Sequence, residues 1–282
     1  MKINRMKGVK TLLALCLLAP AAYAQTLTKT WESDTLLQTP ESVLWDAGTR
    51  SLYAACMNGD AWTADGNGYI AKLSPDGKIT TLKWATGLDA PKGMAVSGGK
   101  LYAADVTKIR VIDLKTGKLE KTLEPAGAKQ LNDATVAPDG TVYVTDMGRS
   151  IILQVKAGQV STFLEDKSLE RPNGVRAVGG NMYVVDAGKG IFYEILSDKS
   201  LRKIAEGMPR GDGIEPVGKG DFLVSQWMGK VNHVAADGKV TQLLDTETQK
   251  INAADIGFDP KTNTVFVPTF FKNSVAAYRL SK

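Results

Sequence analysis

The chain has 282 residues, of which 43% are hydrophobic and 23% charged, and carries a formal net charge of +5. That charge belongs largely to the first 24 residues. Lys2, Arg5, Lys7 and Lys10 fall there with no acidic residue, so residues 25–282 hold 31 of the 35 basic side chains against 30 acidic ones, a balance of +1. A chain so near neutrality, with its basic residues scattered over polar strand positions, excludes a reading built on nucleic-acid or membrane-surface binding.

Residues 1–24 read as an export leader. A basic start precedes the apolar run Leu12–Ala22, which is too short to span a bilayer, and Ala22-Tyr23-Ala24 puts small residues where a signal peptidase cuts. Cleavage is expected after Ala24, with the mature chain periplasmic or secreted and without a membrane span. Cys16 follows Leu13-Ala14-Leu15, which resembles a lipoprotein box, but Leu15 is bulky where a small residue is required. Cys56 is then the only cysteine in residues 25–282, so no internal disulfide forms and stability must come from the core. It is expected to be a small buried hydrophobe. The 258 residues from 25 to 282 suffice for a single domain.

Beyond the leader no segment keeps a helical period. Strands alternate with Gly and Asp-Gly turns, and one sentence recurs six times. It reads Pro40-Glu41-Ser42-Val43, Pro91-Lys92-Gly93-Met94, Leu131-Asn132-Asp133-Ala134, Pro172-Asn173-Gly174-Val175, Gly211-Asp212-Gly213-Ile214 and Ile251-Asn252-Ala253-Ala254. The second residues, 41, 92, 132, 173, 212 and 252, are spaced by 51, 40, 41, 39 and 40. A period of about 40 in short strands predicts propeller blades. Each copy reads as a turn, typified by Pro172-Asn173-Gly174, followed by four strands. The expected fold is an all-β, six-bladed β-propeller with four-stranded antiparallel blades.

Tyr53, Tyr102, Tyr143 and Tyr183 hold one position of the second strand and are expected to pack between blades. The sixth unit ends at Leu280 with no outer strand, whereas Thr26–Trp31 belongs to no unit. Open edges are a liability, so this N-terminal strand is expected to close blade six. Unit one is about ten residues longer than the others, and the surplus, Met57–Asn67, reads as a loop over one face.

Residues that begin the inner strands of a propeller converge on one end of its channel. Here they are Glu41, Lys92, Asn132, Asn173, Asp212 and Asn252, all polar, each followed by apolar strand residues. Glu41, Asn132, Asn173 and Asp212 offer carboxylate and amide oxygens without His or Cys. Such a set favours one hard divalent cation, Ca²⁺ ahead of Mg²⁺, Mn²⁺ or Zn²⁺, with coordination positions left open. The competing reading is that these residues cap strand ends and bind water. Lys92 suits charge neutralisation or substrate orientation, and Asn252 suits a supporting position.

Pro40-Glu41-Ser42 with Trp45, Leu131-Asn132-Asp133, Arg171-Pro172-Asn173-Gly174-Val175 and Gly211-Asp212-Gly213 together resemble the gluconolactonase and senescence-marker-protein (regucalcin) family of six-bladed propellers. A more distant similarity runs to the phosphotriesterase and lactonase propellers typified by diisopropylfluorophosphatase and paraoxonase. The resemblance implies that Glu41, Asn132, Asn173 and Asp212 hold one divalent ion at the top of the channel. Three departures accompany it: Gln130 stands where sugar-lactone hydrolases tend to place an Arg, Val43 replaces a second Pro, and Gly211 replaces the Pro before Asp212.

The expected activity is metal-dependent hydrolysis of a lactone or ester-type small molecule, with Asp212 as general base on water or, alternatively, as nucleophile. Substrate contacts or support are expected from Lys92, Gln130 and Asn252. No Ser-His-Asp arrangement can be assembled, because the only histidine, His233, lies in the third strand of blade five. Arg176, Glu215 and Asp255, each three residues past its site position, are expected to line the channel beneath as a buried ion-pair set that fixes blade register, the alternative being a place for a second cation or a substrate group. The rival function is a non-catalytic, metal-stapled propeller that binds a protein or small ligand through its loop face or through Trp62, Trp84 and Trp227. Oligomeric state is left open by the sequence.

Overall fold

A computed structural model describes residues 25–281; the expected leader, its cleavage point after Ala24 and Cys16 lie outside the described residues. Six four-stranded antiparallel sheets form the blades of a propeller. Their innermost strands are Pro40–Asp46, Pro91–Ser97, Leu131–Val136, Pro172–Val178, Gly211–Gly218 and the short Gly257–Asp259. The only helical element among the described residues is a single 3-10 turn, Phe270–Lys272. No helix there is long and apolar enough to cross a membrane.

The core is a set of seams between consecutive blades. Ala95 and Ile109 of blade two pack on Val142 and Val144 of blade three, and Ile152 of blade three packs on Val175 and Val184 of blade four. The same pairing continues around the ring to Leu52 and Phe266, which join blades one and six. Period-two strands make this possible, since each blade buries both of its faces against neighbours. The repeated tyrosines take part: Tyr53 is fully buried, and the Tyr183 ring lies 4.6 Å from Phe222 of the next blade. Trp84 belongs to the same packing, 4.7 Å from Tyr53, and contributes no loop-face patch.

The N-terminal strand closes the ring. Leu27–Glu32 pairs antiparallel with Val275–Leu280, from Leu27 opposite Leu280 to Glu32 opposite Ala276. Blade six therefore takes its outer strand from the opposite end of the chain, which leaves no blade with a missing strand.

Pro172-Asn173-Gly174 is not a turn. It opens the inner strand, and the site position of five of the six copies sits in a β-bulge. Pro172 pairs with Asp186 and Val175 with Val184, so Asn173 and Gly174 together oppose the single residue Val185. The same gap encloses Lys92-Gly93, Asn132-Asp133 and Asp212-Gly213, while Glu41 is the extra residue between Pro40 and Ser42. Bulges re-aim a side chain away from the ladder's alternation. Blade six departs from the repeat, because Asn252–Ala254 precede its inner strand and Asp255 makes a parallel bridge to Ser42.

Closure rests on Glu32 as well as on the ladder. Its carboxylate takes Lys29 (2.6 Å) and Lys272 (2.9 Å) and accepts the Ser274 hydroxyl. Burial pushes the Glu32 carboxyl up, but the hydrogen bonds from Lys272 and Lys29 outweigh it and bring it from 4.5 to about 2. A depressed folded-state value stabilises the fold above the unfolded value and is lost as pH falls toward the folded one. Glu32→Gln is therefore expected to lower stability by about 1 kcal/mol at pH 7 after solvent screening. Urea denaturation should show the gap to the parent protein narrowing between pH 4.5 and pH 2. A gap that stays constant over that range would assign Glu32 no part in clamping the strand.

Candidate functional site

Crowding at the axis explains the glycine that follows three of the site positions, Gly93, Gly174 and Gly213. A Cβ added to Gly174 would lie 1.8 Å from the Asp212 carbonyl oxygen, and one added to Gly93 would lie 2.2 Å from an Asp133 carboxylate oxygen. Only glycine lets the neighbouring inner strands approach this closely. Blades six and one are stitched at the same level: Asp255 donates its N–H to the Glu41 carbonyl (3.0 Å), and the Ser42 hydroxyl donates to the Asp255 carboxylate (2.5 Å).

The site residues of blades two to five are also held from outside. The Asp that ends a second strand accepts backbone N–H groups from the segment just before the inner strand. Asp186 accepts Glu170 (2.6 Å), Arg171 (3.2 Å), Gly188 (2.9 Å) and Lys189 (3.0 Å), fixing the approach to Asn173. Asp146 does the same for Lys129 and Gln130 ahead of Asn132, and Asp105 for Asp89 and Ala90 ahead of Lys92. Blade five reverses the polarity, with Gln226 Nε2 donating to the Pro209 carbonyl at 2.9 Å.

Glu41, Lys92, Asn132, Asn173 and Asp212 meet at one cavity of about 680 Å³. Gln130 and Asn252 are not among its lining residues. Gln130 accepts a long contact from Arg171 Nη2 (3.5 Å), and Asn252 Nδ2 donates to the Trp227 carbonyl (2.8 Å). Asn173 Nδ2 is shared between the Gly211 carbonyl and Asp212 Oδ1, both at 3.1 Å, and Asn132 Nδ2 meets Met147 Sδ at 2.7 Å. Five buried side-chain polar atoms lack a partner among the described residues, and two belong to this group: Glu41 Oε2 and Asn173 Oδ1. No three His, Cys, Asp or Glu side chains converge as a metal-binding group among the described residues; the group here holds two carboxylates and two amides.

The electrostatics are strained toward too much negative charge. Burial raises Glu41 to about 8, with Asp255 adding to the rise and Lys92 opposing it. Asp212 is raised well above the usual carboxylate range by burial and then by Glu41, Asp255 and Asp133. Burial brings Lys92 down to about 8 against the pull of Glu41. Its ammonium donates to the Ala61 (2.6 Å) and Ala90 (2.8 Å) carbonyls and lies 4.2 Å from the Trp62 ring centre. Beneath the cavity Arg176 Nη2 pairs with Glu215 Oε2 at 2.7 Å, as the charge pattern predicts. His233 is a strand residue bonded to Asp221 (3.1 Å), and Cys56 is buried, its thiol pushed up to about 12.

The walls come from a second register that the site motif does not contain. The residue after the second strand lines the cavity in blades one, three, four and five, as Met57, Met147, Ala187 and Trp227, but not in blades two and six. Each donates its backbone N–H to the segment before the inner strand, as Met147 does to Gln130 and Trp227 to Arg210. Met147, Ala187 and Trp227 are spaced by 40 and Met57 stands 90 residues earlier, across blade two, but the four have no single side-chain chemistry in common. The loop from Met57 to Asn67 adds Ala61 and Trp62, so it covers one side of the cavity as expected.

The model of the SMP-30/gluconolactonase/LRE-like region matches residues 39–271. The chain belongs to this family. No curated protein matches it significantly. Among solved structures, a gluconolactonase from Xanthomonas campestris is 19% identical over 94% of this chain and 100% of its own, with a TM-score of 0.66. A virginiamycin B lyase from Staphylococcus aureus is 14% identical over 92% and 100%, with a TM-score of 0.65. A chain of a nidogen–laminin complex is 18% identical over 78% and 85%, with a TM-score of 0.66. At these identities the likeness establishes the propeller and leaves its chemistry to the site.

The Asp brace generates a direct test. Asp186→Ala leaves four backbone N–H groups without their acceptor and is expected to cost about 3 kcal/mol in urea denaturation. A loss under about 0.5 kcal/mol would show that the approach to Asn173 is held without it.

Proposed function

We propose that this chain is an exported, metal-dependent hydrolase of lactone or ester-type small molecules, with one divalent cation, Ca²⁺ first, held by Glu41, Asn132, Asn173 and Asp212. The observation that carries the reading is the pair of buried, unpartnered oxygens, Glu41 Oε2 and Asn173 Oδ1, on one cavity. Buried polar atoms ordinarily find partners, and an oxygen left without one invites an ion or water. The donor set fits a hard cation, since every candidate ligand atom is an oxygen and no thiol or imidazole lines the cavity. When bound there, the cation would offset the carboxylate charge and polarise a carbonyl.

The chain's own residues supply the rest. Asn173 Nδ2 bonds one Asp212 oxygen and fixes the plane of that carboxyl group. Asp212, 2% exposed, then takes the proton from a water that attacks the ester carbon, and returns it to the departing oxygen. Lys92 acts from the floor as a fixed positive charge, restrained by two carbonyls, and holds the Trp62 wall in place. The bulges set these groups on strands and not on a mobile loop, which favours a preorganised site. The membership of a gluconolactonase in the structural neighbourhood is consistent with this reaction class.

Titration calorimetry is expected to find one Ca²⁺ site, weakened about a hundredfold in Glu41→Gln. A panel of lactones, aryl esters and phosphotriesters should be turned over with Ca²⁺ and not with chelator, and Asp212→Asn should lose at least about a hundredfold in kcat. Wild-type turnover by Asp212→Asn with metal bound would remove Asp212 from the chemistry. Silence across the panel with metal bound would favour the binding-module alternative.

A further inference from the structure

The floor of the cavity is polar, but its walls and mouth are not built for a polyol. Above the candidate ligands the lining turns to Met57, Trp62, Met147, Trp227 and Phe270. No Ser, Thr, Tyr, Gln or His side chain is among the lining residues. A sugar lactone entering here would strip water from several hydroxyls and find few side-chain partners for them above the floor, only the indole N–H groups of Trp62 and Trp227 and the two arginines of the mouth, with no neutral acceptor among them. Each unmatched hydroxyl opposes binding, and a site selects strongly only for polar groups that it can hydrogen-bond. Aromatic and thioether walls instead suit a flat apolar body.

The mouth carries charge of one sign. Arg171 and Arg210, both exposed, line the cavity at its outer edge. Neither guanidinium is paired with a carboxylate among the described residues. Arg171 reaches Gln130 Oε1 at 3.5 Å, and Arg210 meets Met228 Sδ at 3.2 Å while its guanidinium carbon lies 5.6 Å from the Trp227 ring centre. Glu41 and Asp212, the two carboxylates lining the cavity, lie in the floor. Two unpaired guanidiniums above an aromatic wall form a receptor for an oxyanion attached to an aromatic or other flat apolar group. The wall is also preformed, because Lys92 holds the Ala61 carbonyl and the Trp62 ring, while Phe270 packs edge-on against Trp227 at 5.3 Å.

We infer that the substrate is an aromatic or similarly flat apolar ester or lactone bearing one oxyanion group, with Arg171 and Arg210 as its specificity-determining contacts. This rests on the hydrolase reading for the word substrate, and not for the binding preference. The body lies between Trp62 and Trp227, the reacting carbonyl points to the floor, and the oxyanion stays at the mouth. Carboxylate and phosphate meet this requirement by the same chemistry of charge-assisted hydrogen bonds.

The test separates binding from turnover. Quenching of tryptophan fluorescence is followed with 2-naphthoate, 2-naphthyl phosphate, neutral 2-naphthamide and cationic 2-naphthyltrimethylammonium, alongside glucono-δ-lactone. The expected result is that one or both anions bind about tenfold or more tighter than the amide, with the cation and the sugar lactone weaker still. The tighter of the two anions identifies the headgroup. Arg171→Ser and Arg210→Ser, each at an exposed position, should bring the anion-to-amide ratio down severalfold, and the double variant should bring it close to one. Equal binding of amide and anion, tighter binding of the sugar lactone, or no binding by any aromatic ligand would overturn the inference. Hydrolysis of 4-carboxyphenyl acetate against phenyl acetate supplies the second arm. A charge preference in binding without turnover of either ester would uphold the binding preference and contradict the hydrolase reading.

Discussion

Consecutive inner strands run so close at the axis that a single added carbon would collide with the next strand's backbone or carboxylate, as at Gly174 and Gly93. That crowding concentrates charge. Glu41, Asp133, Asp212, Glu215 and Asp255 occupy the axial column, and their mutual repulsion adds to burial in pushing carboxyl groups upward. Two basic groups answer them. Arg176 is committed to Glu215 below, and Lys92 is tied to two carbonyls above. Buried charge without a counter-charge is costly, so the top of the column is stabilised either by protons or by a cation. The unpartnered oxygens belong to Glu41 and Asn173, both of which line the cavity at that end.

The fold is legible in the sequence because the blade is a local object. Strand, Gly turn and apolar alternation repeat every 40 residues or so, and the missing strand of blade six has one candidate to supply it. The convergence of Glu41, Asn132, Asn173 and Asp212 is legible for the same reason: register alone places them at one end of the channel. Lys92 shares that register, yet its geometry ties it to Ala61 and Trp62 as well as to the floor. Side-chain type in a repeat does not say which of its neighbours it will meet.

What sequence does not disclose is how those residues are aimed. The bulge at Asn173 looks like a Pro-Asn-Gly turn in the chain, because Pro and Gly punctuate turns more often than strand openings. Pairing Pro172 with Asp186 and Val175 with Val184 requires knowing both strands. The wall residues were hidden differently. Met57, Met147, Ala187 and Trp227 occupy equivalent positions, but no shared chemistry marks them, and their common feature is a backbone hydrogen bond. Repeat architecture thus fixes the floor through like residues and varies the walls through unlike ones, which is how one propeller serves several chemistries.

The proposed cation would be held by Glu41 and Asn173 through their two unpartnered oxygens. A crystal structure of the protein grown with Ca²⁺, and again with Mn²⁺ for its anomalous signal, measures this directly. One ion is expected at the cavity floor with Glu41 Oε2 and Asn173 Oδ1 among its ligands, at about 2.3–2.6 Å for Ca²⁺. A floor that stays free of metal at millimolar Ca²⁺, with Glu41 and Asn173 instead bonded to protein or to water alone, would contradict it.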